Sequence, residues 1–216
     1  MSIFQKNNST AYAALQSAKG SAATISEAHA IDLTQDSGFV QPKGELVDRG
    51  LIRGGRWPSQ QVAGGRWGEG GLTLELRGSG TAGTAPEFAP LLETLLGTEY
   101  TNSADTVNGA GTTTTLTATS GTYYVGQLLR VQIGSGYEVR RVSAVDSQDL
   151  TFSREFSQAP ADEAIIAAGV SYLHLGTEAV QYLTLDQYLD GVRLLCTDAV
   201  CESLSVCAIG RAHKQW

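Results

Sequence analysis

The chain has 216 residues, 42% of them hydrophobic and only 17% charged, a size that can bury a substantial core without metals or disulfides. Its 25 glycines and abundant threonine and serine favour strands and turns over a helical bundle, so a mainly β domain is expected. A net charge of -7 works against tight, nonspecific binding to nucleic acid, and no stretch is long enough to cross a membrane as a helix.

Residues 1–28 read as an N-terminal arm, within which Ala11 to Lys19 is expected to form a short helix ended by Gly20. The first eight residues have no apolar core of signal-peptide length, which argues against export by the usual signal route. Ala30-Ile31-Asp32-Leu33-Thr34 alternates and predicts the first strand, closed by the turn signal Asp36-Ser37-Gly38. Glu45 to Arg53 predicts a second strand. Leu72-Thr73-Leu74-Glu75-Leu76-Arg77 predicts a third, with its leucines on one face and Thr, Glu and Arg on the other. Between these strands runs a glycine-rich connection, residues 50–71, that carries a duplicated tetrapeptide, Gly54-Gly55-Arg56-Trp57 and Gly64-Gly65-Arg66-Trp67. Large aromatic and cationic side chains on such a connection gain little from a monomer's surface, so contact with another protein copy is their expected use. Arg53, Arg56, Trp57, Arg66 and Trp67 are the candidate contact residues. The competing use is a hairpin that folds its tryptophans back onto its own sheet.

Residues 84–97 predict the one α-helix. Thr84 and Glu87 have the spacing of a capping box, Pro86 suits a first turn, and Phe88, Leu91, Leu92, Leu95 and Leu96 form a stripe that Gly97 closes. Short strands return at Thr113–Thr117, Leu128–Ile133, Glu138–Val145 and Leu150–Phe152, separated by small turns, and predict a compact β insertion over residues 107–169. Val170–Leu175, Val180–Leu185, Val192–Leu195 and Cys201–Ile209 are expected to complete the main sheet, so that residues 29–106 and 170–216 form the principal β domain. In the last of these, Glu202, Leu204 and Val206 alternate with small residues.

Catalytic and ligand-binding patterns are weak. His29, His174 and His213 have no neighbouring ligand at metal-binding spacing, and Cys196, Cys201 and Cys207 form neither a disulfide framework nor a CxxC pair. They read as small buried residues of a protein assembled in a reducing cytosol. Gly78-Ser79-Gly80 and Gly134-Ser135-Gly136 lack the strand-elbow-helix frame of a nucleophile motif, and Gly109-Ala110-Gly111 precedes no helix. Asp186 and Asp190 flank a hairpin signal, Asp190-Gly191, rather than a cleft. No catalytic residue, cofactor or metal is therefore expected. Arg49, Arg53, Arg56, Arg66 and Arg77 gather around the long connection, interleaved with Asp48, Glu69 and Glu75, a pattern suited to one half of a charge-complementary protein contact.

The alanine-rich arm, the strand ending Glu75-Leu76-Arg77-Gly78-Ser79-Gly80, the Ala85-Pro86-Glu87 helix with its Leu-Leu-Gly end, the small β insertion and the Asp190-Gly191 hairpin follow one another in an order that resembles the tail tube proteins of long-tailed bacteriophages. The resemblance implies a β-sandwich or partly closed barrel flanked by one helix. It also implies subunits that form rings, commonly hexameric, stacked into a tube that conducts double-stranded DNA into the host. The family's long hairpin loop maps onto residues 50–71, where it would bridge to the neighbouring ring. Implied partners are further copies of the chain, a tape measure protein, a tail terminator and baseplate or tail-tip proteins. The implied location is the virion tail, assembled in the bacterial cytoplasm. Another phage structural part, such as a terminator, distal tail or decoration protein, is the alternative, followed by a carbohydrate-binding β module in which Trp57 and Trp67 stack on sugars.

Overall fold

The computed structural model describes residues 9–34, 37–47, 62–176, 179–189 and 191–206. Strands β1 (Ser9–Leu15), β2 (Ala30–Ile31), β3 (Gln41–Val47) and β4 (Val62–Glu69) precede the helix α1 (Ala89–Leu96). After it come β5 (Thr98–Asn102), β6 (Asp105–Thr106), β7 (Thr115–Thr117), β8 (Leu128–Ile133), β9 (Gly136–Asp146) and β10 (Asp149–Phe152). Strands β11 (Ile165–Ile166), β12 (Gly169–Leu173), β13 (Leu183–Leu189) and β14 (Val192–Ala199) complete the order. The protein is thus mainly β, as its composition predicts, with one α-helix among the described residues and a curled sheet, consistent with the β-sandwich or partly closed barrel that the resemblance implies. Two compact units divide the chain, Met1–Leu76 with Thr184–Ala199 and Arg77–Leu183 with Val200–Trp216.

The first unit is built on a four-stranded sheet in the order β14-β13-β1-β2. Its inner strand β13 is covered on both faces, for Thr184, Leu185, Asp186 and Gln187 are each at most 4% exposed. The polar members are held: the Thr184 hydroxyl accepts the Ala23 N–H at 2.8 Å and meets the Gln16 amide at 3.0 Å, and Gln187 Oε1 accepts the Val40 N–H at 2.9 Å. Beside it, β1 occupies the segment whose alanines predict a helix. Ala11, Ala13 and Ala14 are all buried, so both faces of this strand are covered. Ladder bonds on both edges and burial outweigh the modest helix propensity of alanine.

The third predicted strand, Leu72 to Arg77, is reduced to a single bridge, Leu33 to Leu74, with the Thr34 N–H donating to the Thr73 carbonyl at 3.0 Å. Its pairing partner is instead taken further upstream: β3 pairs antiparallel with β4, which lies inside the predicted connection 50–71. Of the second predicted strand, only Glu45 to Val47 falls in β3 and the rest lies outside the described residues. At the root of this hairpin Gly68 is obligatory, since a Cβ there would sit 2.7 Å from Val40 Cγ1.

The second unit contains a six-stranded sheet in the order β6-β11-β8-β9-β10-β7. Its two outer strands meet: Val107 bridges Ala118, the Asn108 N–H donates to the Thr117 carbonyl at 2.8 Å, and the Thr119 N–H donates to the Thr106 carbonyl at 2.9 Å. Hydrogen bonds therefore run all the way round, and the sheet becomes a small barrel without a free edge. Leu129, Val131, Val142, Leu150 and Ile166 are fully buried inside it, with Phe152 and Phe156 in edge-to-face contact at 4.8 Å. Asp105 ties the mouth by accepting from the Thr106 and Ser120 amides and from the Tyr123 hydroxyl at 2.8 Å. These bonds hold its carboxyl below the usual aspartate value against the opposing effect of desolvation.

Helix α1 starts at Ala89, five residues later than the predicted Thr84 start. Pro90 explains the delay. In a helix from Thr84 its ring would strike the carbonyl four residues back, whereas in the first turn of a helix from Ala89 it is tolerated. Glu87 is correspondingly taken up by Arg77, at 3.0 Å, rather than by a capping box. The helix ends at Gly97, which turns the chain at φ +104 into β5, itself paired with β12. A Cβ at Gly97 would lie 2.3 Å from the Leu173 carbonyl oxygen. Gly97→Ala is expected to cost about 2 kcal/mol or more, combining left-handed strain with this collision. Urea or thermal unfolding of the variant measures it, and a midpoint equal to that of the parent would contradict the account.

Candidate functional site

The β3–β4 ribbon is the most exposed structured part of the chain. Residues 41–46 and 65–69 are all exposed, on both faces of the two strands. Register sets Lys43 opposite Trp67 and Gly44 opposite Arg66, and a bulge between Gly44 and Leu46 follows. The Lys43 ammonium meets the Glu69 carboxylate across the pair. Trp67 is 50% exposed and Leu46 67%, so the ribbon carries large apolar groups that are left substantially open to solvent. An isolated two-stranded ribbon is marginal in water, and exposed apolar groups on it gain free energy only when something else covers them.

Of the candidate contact residues, Arg66 and Trp67 sit next to each other on β4 and point to opposite faces, because side chains alternate along a strand. Arg53, Arg56 and Trp57 lie outside the described residues. The expectation that the second Gly-Gly-Arg-Trp belongs to a connection is corrected: Gly64 to Trp67 is strand. The signal was available in the flanking Val62-Ala63 and in the even spacing of Arg66 from Gly68, but the glycines, poor strand formers, obscured it. Arg77 pairs with Glu87 within the second unit.

A second feature is the open edge of the first unit's sheet. Strand β14 has β13 on one side and no strand on the other among the described residues. Val192 and Leu195 on it are 46% and 51% exposed. An uncovered eight-residue edge offers unpaired N–H and C=O groups to another chain. Arg193 on the same strand grips Asp186 through two nitrogens, at 2.8 and 3.0 Å. That hydrogen bonding raises the guanidinium's already high pKa and holds the carboxylate, 1% exposed, in a structural role. Tyr12, Tyr188, Arg193 and Leu195, with the chain from Ala22 to Glu27, line an open groove of about 530 Å³ beside this edge. The partner of Asp186 is the arginine across the hairpin, and Asp190 lies outside the described residues.

Other titratable groups are dispersed. His29 bonds Ser26 at 2.9 Å, and no three His, Cys, Asp or Glu side chains converge on a metal-sized site among the described residues. The Cys196 thiol is pushed up by burial and by the Asp198 charge, which keeps it protonated and unreactive. In the second unit, Glu93 at the end of α1 and Glu99 on β5 are both raised, first by burial, and for Glu93 also by the Glu99 charge. The Tyr172 hydroxyl beside them is raised by burial and by both carboxylates. Comparison with family models, with curated proteins and with solved structures finds no match to this chain.

Raised carboxyls bind protons more tightly in the folded than in the unfolded state, so they favour folding at low pH and that contribution is lost as pH rises through their folded pKa. Glu93→Gln with Glu99→Gln is therefore expected to stabilise the protein at pH 7, with the gap over the parent closing as pH falls toward the ordinary glutamate value of 4.5. Unfolding midpoints measured across that window test the sign; a gap that widens toward low pH would refute it.

Proposed function

We propose that the chain is a structural subunit that assembles with copies of itself into stacked rings, the tail tube of a long-tailed bacteriophage, and conducts the genome without chemistry of its own. The observation that carries this reading is the β3–β4 ribbon, exposed on both faces and bearing Trp67, Leu46 and Arg66. A ribbon of that kind is economical for a protein that is covered only after assembly, when a neighbouring subunit buries it.

Three further facts support the reading. The open edge of β14 suits a head-to-tail contact, and such contacts close into a ring when the rotation between copies permits. An excess of 22 acidic over 15 basic side chains lets DNA pass without sticking. The order of elements along the sequence is that of the tail-tube resemblance. In this reading the ribbon bridges one ring to the next, the rings are commonly hexamers, and a tape measure, a terminator and tail-tip proteins bound the tube in the virion. A phage component that stops at a single ring is the second reading, favoured if the ribbon engages an unlike partner rather than its own kind.

Negative-stain electron microscopy of the concentrated purified protein separates these: filaments of stacked rings support the tube, single rings the alternative, and dispersed monomers at every concentration overturn both. Arg66→Ala with Trp67→Ala is expected to leave the unfolding midpoint within roughly 3 °C of the parent, as exposed substitutions do, while abolishing stacking. Normal tubes from that variant would remove the ribbon from its proposed role.

A further inference from the structure

The segment from Cys201 to Val206 belongs to no ladder among the described residues. Its first residue is pinned, the Cys201 N–H donating to Thr94 Oγ1 on α1 at 3.2 Å. From Glu202 to Val206 no backbone N–H donates a hydrogen bond to any described residue, and Leu204 and Val206 are 54% and 68% exposed. The sequence has the alternation of a half-buried strand, Glu202, Leu204 and Val206 against Ser203 and Ser205. It therefore has the sequence pattern of a strand and no sheet among the described residues.

The same molecule has a sheet edge without a strand. Along the exposed edge β14, Arg193 and Leu195 line one groove and so share a face, and Thr197 follows two residues on. Laid alongside in the parallel sense, Glu202 meets Arg193, Leu204 meets Leu195 and Val206 meets Thr197. A carboxylate then lies beside a guanidinium and an apolar side chain beside its like. A parallel pair requires a crossover of a dozen or more residues, and the chain has only Val200 between the end of β14 and Cys201. The strand beside β14 must then come from a second copy.

We infer that Cys201 to Val206 is donated as a fifth strand to the β14 edge of a neighbouring subunit, and that this strand addition is the lateral contact within a ring. The inference rests on the reading of the chain as a self-assembling subunit and names the segment and edge that join. Main-chain hydrogen bonds supply the affinity of such an addition, and the alternate side chains fix its register. The amides from Glu202 to Val206 donate to no described residue in the free subunit, so assembly rather than folding satisfies them.

Proline tests this directly, because it removes one amide donor. In a strand added to an edge, alternate amides face the partner, so Ser203→Pro and Leu204→Pro interrogate the two phases. Both variants of the full chain are expected to unfold at the parent midpoint when dilute, while one of them fails to form rings by sedimentation velocity and electron microscopy. Hydrogen exchange is expected to show the amides of residues 203–206 exchanging fast in the free subunit and protected in the assembly. If both variants form rings as the parent does, or if these amides stay unprotected in assembled parent protein, strand donation is wrong while self-assembly stands. If both variants unfold early when dilute, the segment pairs within its own chain and the inference falls. A parent protein that never associates refutes the assembly reading, and the inference with it.

Discussion

Each backbone N–H and C=O removed from water must find a partner, and a β-rich chain meets that requirement only by deciding what happens at the edges of its sheets. This protein handles the two cases in opposite ways. Around the six-stranded sheet of the second unit the ladder returns on itself through Val107, Asn108, Ala118 and Thr119, and the core from Leu116 to Ile166 is sealed. In the first unit the sheet ends at β14 and the ribbon of β3 and β4 pairs only with itself among the described residues. One unit is complete as a monomer; the other has the features of something finished by a neighbour.

The electrostatics follow the same division. Several interior polar groups are matched: Asp105 with donors from Thr106, Ser120 and Tyr123, Asp186 with the two nitrogens of Arg193, Thr184 with Gln16 and Ala23, while Gln187 Nε2 and Ser171 Oγ are buried without a hydrogen-bond partner among the described residues. Where groups stand in water, matching is loose, and the Lys43 and Glu69 pair across the ribbon contributes little by itself. Stability is concentrated in the interior of each unit, which leaves the exposed ribbon and edge free to be shaped by contact instead of by folding.

How much of this was legible in the sequence depended on how local the cause was. Four of the six barrel strands were readable to within about two residues, because segments such as Leu128 to Ile133 and Leu150 to Phe152 alternate and small turns bound them, whereas the two-residue strands β6 and β11 are too short to carry a pattern. The pairing of β13 with β14 was readable from the turn signal between them. What failed did so through distant partners. Ala11 to Ala14 look helical until the sheet that encloses them on both sides is known, and Leu72 to Leu76 alternate well yet find only one bridge because β4 has taken the pairing with β3. The start of α1 was misplaced through a local cause that was visible: Pro90 outranks the Thr84 capping pattern. Within the candidate site, Arg66 and Trp67 were singled out from their chemistry alone, whereas the open edge with Val192 and Leu195 could not be found without knowing the strand order.

The barrel's entry and exit points have a consequence for how such a chain can change. Asp105 and Thr106, where the polypeptide enters, are paired directly with Ile166 and Ile165, where it leaves. A module whose two ends lie on adjacent strands behaves as a cassette: it can be enlarged, exchanged for another fold or opened to carry a foreign peptide, and the flanking polypeptide still meets the same two points. The mouth-side turn at Asp146 to Asp149, exposed and far along the chain from that junction, is the natural place for such cargo.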